Sequence, residues 1–219
     1  MDLSAPVSLY CERVGPGLFA EPLNAISNFA FLGASAWCWQ RLGERGPWYA
    51  RALAVWIAVV GMASLSFHTF ANTGTDILDV LSIAVFIYGY VACFFRRHAG
   101  WAWPAALLAM PLFWLFGLGV TALFPPQAFN GSVGYLPALA GLATMAAWLK
   151  LRDGPGARWL ATAAALFALS LSLRSVDRAW CTSLPIGTHW LWHCLNAGVL
   201  GLVTISLAPA PSSTTGASR

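Results

Sequence analysis

Long apolar blocks alternate along the chain with short polar breaks rich in glycine and proline. Seven blocks stand out, at about 24–41, 52–71, 77–95, 102–121, 133–150, 158–174 and 187–207. Each has roughly the length that carries a helix across the hydrocarbon core of a bilayer. Backbone N–H and C=O groups in lipid must pair within their own segment, so the blocks predict helices. The breaks between them read GERGP, NTGT, RRHAG, FPPQAFNGS, RDGPGAR and SVDRAWCTSLPIG. The pattern therefore predicts an all-α membrane protein with one seven-helix transmembrane domain over 1–207. A low-complexity tail, 208–219, is predicted to be disordered. No basic stretch followed by an apolar core precedes the first block, so no cleavable signal peptide is predicted.

Composition supports this pattern. The 219 residues are 58% hydrophobic and 9% charged, whereas a soluble domain carries about 25% charged residues. The net charge of +4 is scattered, which argues against nucleic-acid binding and bears on topology instead. Arg41, Arg45, Arg51, Arg96, Arg97, Lys150, Arg152 and Arg158 flank the first, third and fifth breaks. The opposite side holds only Arg13, Arg174 and Arg178. Because cytoplasmic loops carry the excess of basic residues, the N-terminus is predicted outside and the C-terminus in the cytoplasm. An arginine-dominated, alanine-rich composition points to a GC-rich bacterial source, and hence to an inner membrane.

Against this background the ionisable residues inside the spans stand out, because such groups are costly in lipid and mark functional sites. The second span ends GMASLSFHTFANTG, the third begins TDILDVLSI, and the seventh opens GTHWLWHCLNA. With the N-terminus outside, the second span runs outward while the third and seventh run inward. His68, Asp79, His189 and His193 then share one depth in the outer half of the membrane. The spacing of His189 and His193 puts both imidazoles on one helical face, and Ser64 shares the face of His68. Three histidines with a carboxylate nearby match a catalytic zinc, which takes three protein ligands and a water. Haem fits less well, since His189 and His193 on one face cannot bind opposite sides of one haem.

Each residue alone has a plainer reading. The histidines suit an interface where imidazoles meet carbonyls and water, Asp79 suits the first turn of a helix, and Ser64 suits back-bonding within its helix. All of these readings at one depth would require several independent coincidences. A second polar cluster, in YCERVGPGLFAEPLNAISN, contains Glu12, Glu21, Asn24 and Asn28. Glu12, Glu21 and Asn24 offer oxygen ligands of the kind calcium takes. They equally suit capping, or ion pairs with Arg174 and Arg178. Of the cysteines, Cys38, Cys93 and Cys194 lie in spans and read as packing residues. Cys194 points about 100° away from His193 around the helix and is not expected to be a ligand. Cys11 and Cys181 both fall on the outer side, where a disulfide would persist.

Taken together, YCER…EPLNAISN, SLSFH, DILD, RSVDRAWC and GTHWLWH resemble the alkaline ceramidase family. That family belongs to a wider group of seven-span metal-dependent membrane hydrolases that includes the progestin and adipoQ receptors. The resemblance runs from about residue 8 to 205. It implies a zinc held by His68, His189 and His193, with Ser64 and Asp79 completing the site, and a Cys11–Cys181 disulfide. It also implies a calcium site around Glu12, Glu21 and Asn24. The acidic residue expected before the aromatic-Cys-Glu run is replaced here by Ser8-Leu9-Tyr10, so that set lacks a ligand.

The activity so implied is hydrolysis of a membrane lipid amide, ceramide to fatty acid and sphingoid base, on the periplasmic side. Three alternatives stand beside it: another bacterial lipid amide or ester, a lipid-binding receptor without turnover, and a transporter. The last ranks lowest, because no polar path crosses the inner half.

Overall fold

The computed structural model describes residues 2–209, so the tail expected from residue 208 falls, beyond residue 209, outside the described residues. Helices occupy all seven apolar blocks. They are α1 (Pro22–Ser27), α2 (Phe29–Leu42), α3 (Trp48–Phe70), α4 (Thr73–His98), α5 (Trp103–Thr121), α6 (Ala128–Gly131), α7 (Leu136–Leu151), α8 (Ala157–Val176) and α9 (His189–Ser206). A 3-10 turn, Ser132–Tyr135, joins α6 to α7, and another, Arg178–Trp180, follows α8. Five segments are long and apolar enough to cross a membrane: α3, α4, α5, α8 and the stretch Ala128–Leu151 that contains α7. These mark the chain as a multi-pass integral membrane protein.

The first block, expected as one helix over 24–41, is divided at Asn28. The carbonyl of Asn24 accepts from the Ser27 hydroxyl at 2.9 Å and from Asn28 Nδ2 at 2.7 Å. These side chains displace the backbone bond a continuous helix would make there, and the Asn28 N–H turns to Ala25 instead. The polar residues of the EPLNAISN stretch thereby form a separate turn of helix, α1, ahead of α2.

Packing closes the helices into a ring, in which each of α2, α3, α4, α5, α7, α8 and α9 touches the next and α9 returns to α2. The short α1 packs between α3 and α9. The role of α5 is peripheral: only Ala106 and Ala109 of its residues are buried, and its other apolar side chains are suited to lipid. The core between the helices is built from residues such as Ile57, Val60, Phe86, Phe167 and Val203.

The two ends of the ring differ in chemistry. At one end Arg51 stacks over Trp39, Arg152 over Trp148 and Arg158 over Trp159, with guanidinium carbons 4.5 to 4.8 Å from the ring centres. At the other end the N-terminal segment lies across the α3–α4 turn, where Val7 donates to Ala71, and Thr73 and Gly74 donate to Ala5 and Leu3. A Cys11–Cys181 disulfide ties this segment to the α8–α9 connection across 170 residues of sequence. It is the pairing the resemblance implied.

Closing so long a loop contributes on the order of 2–5 kcal/mol in the chain-entropy account. Cys181→Ser is therefore expected to lower the thermal midpoint of the detergent-solubilised protein by about 5–15 °C. Intact-mass measurement before and after reduction reports whether the bond is present. An unchanged midpoint would show that the linkage holds nothing in place.

Candidate metal centre

Two helix ends bring three imidazoles together. His68 lies in the last turn of α3, and His189 and His193 lie in the first two turns of α9. All three are buried, and one nitrogen from each lies within 4.8 Å of the others. Ring centres are 4.5 Å apart for His189 and His193, 4.6 Å for His68 and His193, and 5.2 Å for His68 and His189.

The start of α9 is set by Asp177. This buried carboxylate accepts from the backbone N–H groups of Thr188 at 2.6 Å and His189 at 3.0 Å, two donors that the helix itself leaves unsatisfied. Its other oxygen accepts from the Cys11 N–H at 3.0 Å. Gly187 makes this approach possible: its φ is +63°, and a Cβ there would run into the Asp177 carboxylate. The helix opens at Gly187-Thr188 as the sequence suggested, with His189 as its first residue.

Hydrogen bonds determine which nitrogens face one another. His68 Nδ1 lies 2.6 Å from Glu21 Oε2, while its Nε2 is buried without a partner. A carboxylate accepts, so Nδ1 carries the proton and Nε2 presents its lone pair to the cluster. The Ser27 hydroxyl donates its only hydrogen to the Asn24 carbonyl, so it accepts from His193 Nδ1 at 2.8 Å, which leaves Nε2 of His193 as the free lone pair. A histidine whose second nitrogen is fixed by a carboxylate or hydroxyl is the arrangement metal ligands show. Tyr10 stacks on the His189 ring with centres 3.4 Å apart, and the Nδ1 of His189 is buried without a partner. Three nitrogen donors, two of them oriented by neighbours and one otherwise unsatisfied in a dry interior, fit a metal ion.

Glu21 holds this layer together. It pairs with Arg13, accepts from Asn24 Nδ2 at 2.9 Å and accepts from His68. Burial works to raise its pKa, but the hydrogen bonds from His68, Asn24 and Arg13 outweigh this and keep the carboxyl below its usual range. Glu12 uses both oxygens to cap α1, accepting from the N–H groups of Leu23 at 2.7 Å and Asn24 at 2.8 Å. The Glu12 and Glu21 carboxylates considered as calcium ligands are thus engaged in capping and ion pairing, while Asn24 Oδ1 is buried without a partner. The pairing expected with Arg174 and Arg178 does not form, because Arg13 is the nearer cation and Arg174 is held elsewhere, by Asn130 and Ser132.

Ser64 and Asp79 line the same cavity as His189 and His193. From this polar head the cavity descends between the helices past Phe86, Leu142 and Val199 to Tyr90, Met145 and Val203. Asp79 to Tyr90 on α4 and His189 to Val203 on α9 correspond to a depth of about 15–20 Å at 1.5 Å per residue. Tyr90 closes the lower end, where its hydroxyl meets Ser206 Oγ at 3.0 Å. Cys194 is exposed and free, consistent with its exclusion from the ligand set.

Sequence reasoning placed Glu21 among oxygen ligands and passed over Ser27, Tyr10 and Asp177. The signal for Ser27 lay in its position one helical turn beyond Asn24. Tyr10 and Asp177 gave no comparable signal, since each acts through a contact between distant segments.

Glu21→Gln is expected to weaken metal binding about 10- to 100-fold by loosening His68, whereas His193→Ala removes a ligand and abolishes it. Metal titration of the purified protein measures both, and unchanged affinity in Glu21→Gln would refute the orienting role. Comparison with protein-family models and with curated proteins finds no match to this chain.

Proposed function

We propose that the protein is a zinc-dependent hydrolase of membrane lipid amides, of the ceramidase type. The observation that carries this reading is a buried three-histidine cluster standing with Ser64 and Asp79 at the head of a long apolar cavity. Three neutral imidazoles are a common ligand set for catalytic zinc. A zinc ion there supplies a Lewis acid and a water acidified toward about pH 7.

The remaining chemistry belongs to side chains. Asp79 accepts the proton of the attacking water and delivers it to the departing amine. Ser64 donates its hydroxyl to the carbonyl oxygen as negative charge builds there. The C–N bond breaks, water contributes hydroxyl to the acyl carbon and hydrogen to nitrogen, and the products are a fatty acid and an amine. For a ceramide that amine is a sphingoid base. The apolar shaft takes the acyl chain. Its depth is comparable to one leaflet of a bilayer whose hydrocarbon core is ~30 Å thick, so a long chain fits it best.

In this reading the chain crosses the membrane seven times. The end carrying Arg51, Arg152 and Arg158 faces the cytoplasm, as the basic residues at this end favour. The N-terminus and metal centre then face the periplasmic leaflet of a bacterial inner membrane.

Asp79→Asn is expected to keep its metal and to lose at least about 100-fold in turnover of a fluorescent long-chain lipid amide. Full hydrolysis by this variant would remove Asp79 from the role of base. A wild-type protein that binds metal and lipid amide without turnover would replace the hydrolase reading with that of a receptor. Filling the shaft with Leu200→Trp is expected to lower kcat/KM for an octadecanoyl amide while sparing a hexanoyl one. Each methylene kept out of the shaft would cost up to ~0.8 kcal/mol, and equal losses for both chains would show that the acyl group lies elsewhere.

A further inference from the structure

Asn196 is the polar residue of α9 that neither the imidazole cluster nor helix packing accounts for. It follows His193 by three positions and His189 by seven, so it shares their face of the helix. That face lines the cavity, and Asn196 lines it together with both histidines. The residue is buried. His193, Thr204 and Ser206 of the same helix each bond within the protein, whereas the Asn196 amide has no protein partner among the described residues.

Its depth sets it apart from its neighbours. One turn inward from Ser64 on α3 the lining residue is Val60, and one turn inward from Asp79 on α4 it is Ile83. From this level down to Tyr90 the other described side chains of the lining are apolar. A carboxamide has two donor hydrogens and an acceptor oxygen to satisfy. A hydrocarbon chain drawn past it strips away its water and offers no hydrogen bond in return. A shaft shaped only for methylenes is therefore better served by leucine, which has nearly the same size.

The position of the amide says what it would meet. With the scissile carbonyl at the imidazoles, Asn196 stands ~4.5 Å further in than His193, three residues along the helix. Three to four bonds of an extended chain cover that distance, at ~1.2 Å per bond. A hydroxyl oxygen on carbon 3 of the acyl chain is three bonds from the carbonyl carbon. It both donates and accepts, as the amide does.

We propose that Asn196 binds a hydroxyl on carbon 3 of the acyl chain, and so selects 3-hydroxyacyl amides over amides of unsubstituted fatty acids. The register rests on the hydrolase reading, which puts the carbonyl at the imidazoles, but the preference itself is one of binding. Cleavage adds water across the amide C–N bond and releases a 3-hydroxy fatty acid and an amine. An unsubstituted chain fills the same space and leaves the Asn196 amide unpaired.

Hydroxamates hold their carbonyl on a bound metal, so they set this register without turnover of a lipid amide. Their affinities for full-length, zinc-loaded protein in detergent test the assignment. The tighter-binding enantiomer of 3-hydroxyhexadecanohydroxamic acid is expected to bind about 10- to 100-fold more tightly than hexadecanohydroxamic acid. The 8-hydroxy isomer should show no such gain. Asn196→Leu should erase the preference and bind the unsubstituted chain more tightly than the wild-type protein does, a gain that a merely structural asparagine would not produce. Equal affinity of the 3-hydroxy and unsubstituted compounds for the wild-type protein would overturn the proposal whether or not the variant folds. So would an 8-hydroxy isomer that matches the 3-hydroxy one, or a preference that survives Asn196→Leu. Hydrolysis of the corresponding N-acylethanolamines is read separately. A hydroxamate preference without cleavage of either amide would uphold the hydroxyl site and refute the hydrolase. Equal hydroxamate binding with equal cleavage of both amides would do the reverse.

Discussion

The carboxylate of Asp177 is the contact on which the imidazole-bearing end of the molecule depends. It is wholly buried, and it satisfies backbone donors from two segments that the chain keeps far apart. One is the start of α9; the other is Cys11 in the N-terminal segment. A negative charge at a helix N-terminus is favoured by the helix dipole. Here the same charge also fixes the position of the segment that brings Tyr10 and Glu12 over the bundle. Removing it would leave three N–H groups buried without partners, and each such group costs about 1–3 kcal/mol.

From this anchor a continuous polar layer extends into the cluster. Glu21 reaches His68, Ser27 reaches His193, and Arg13 connects Glu21 to the carbonyl at the end of α3, where its Nη2 meets His68 O at 3.1 Å. In a low-dielectric interior such networks are favourable only when their members are paired. The few atoms left over are informative for that reason. His68 Nε2 and His189 Nδ1 belong to the imidazole cluster, Asn24 Oδ1, Asn28 Oδ1, Asp79 Oδ1 and Arg174 Nε lie toward the same end, and His98 Nε2 lies at the opposite end of α4. The middle of the bundle is held by apolar packing, and polar contacts are most numerous where the imidazoles are.

Much of this arrangement was legible in the sequence. Apolar block length located the seven helical segments, and the alternation of their directions was enough to put His68, Asp79, His189 and His193 at one end. The same logic placed Cys11 and Cys181 on the same side. What stayed hidden depends on segments without periodicity. Residues 2–21 contain no regular helix, so nothing in their pattern said that Glu21 would meet His68 or that Arg13, rather than Arg174, would be its cation. Asp177 gave no sign of its role because the N–H groups it caps begin eleven residues later, beyond a loop. The split of the first block at Asn28 was likewise invisible to hydropathy, since side chains competing for one carbonyl leave the apolar pattern unchanged.

The disulfide and the ligand set share a consequence for how the protein is made. Glu21 and Ser27 are synthesised before His68, and His189 and His193 follow His68 by more than a hundred residues. No chain that stops before residue 193 contains the three imidazoles, and Cys11 waits for Cys181 across a separation of 170 residues. Assembly of the cluster therefore follows synthesis of the helices from α1 to α8. A stalled or clipped chain carries the lipid-facing helices but not the chemistry.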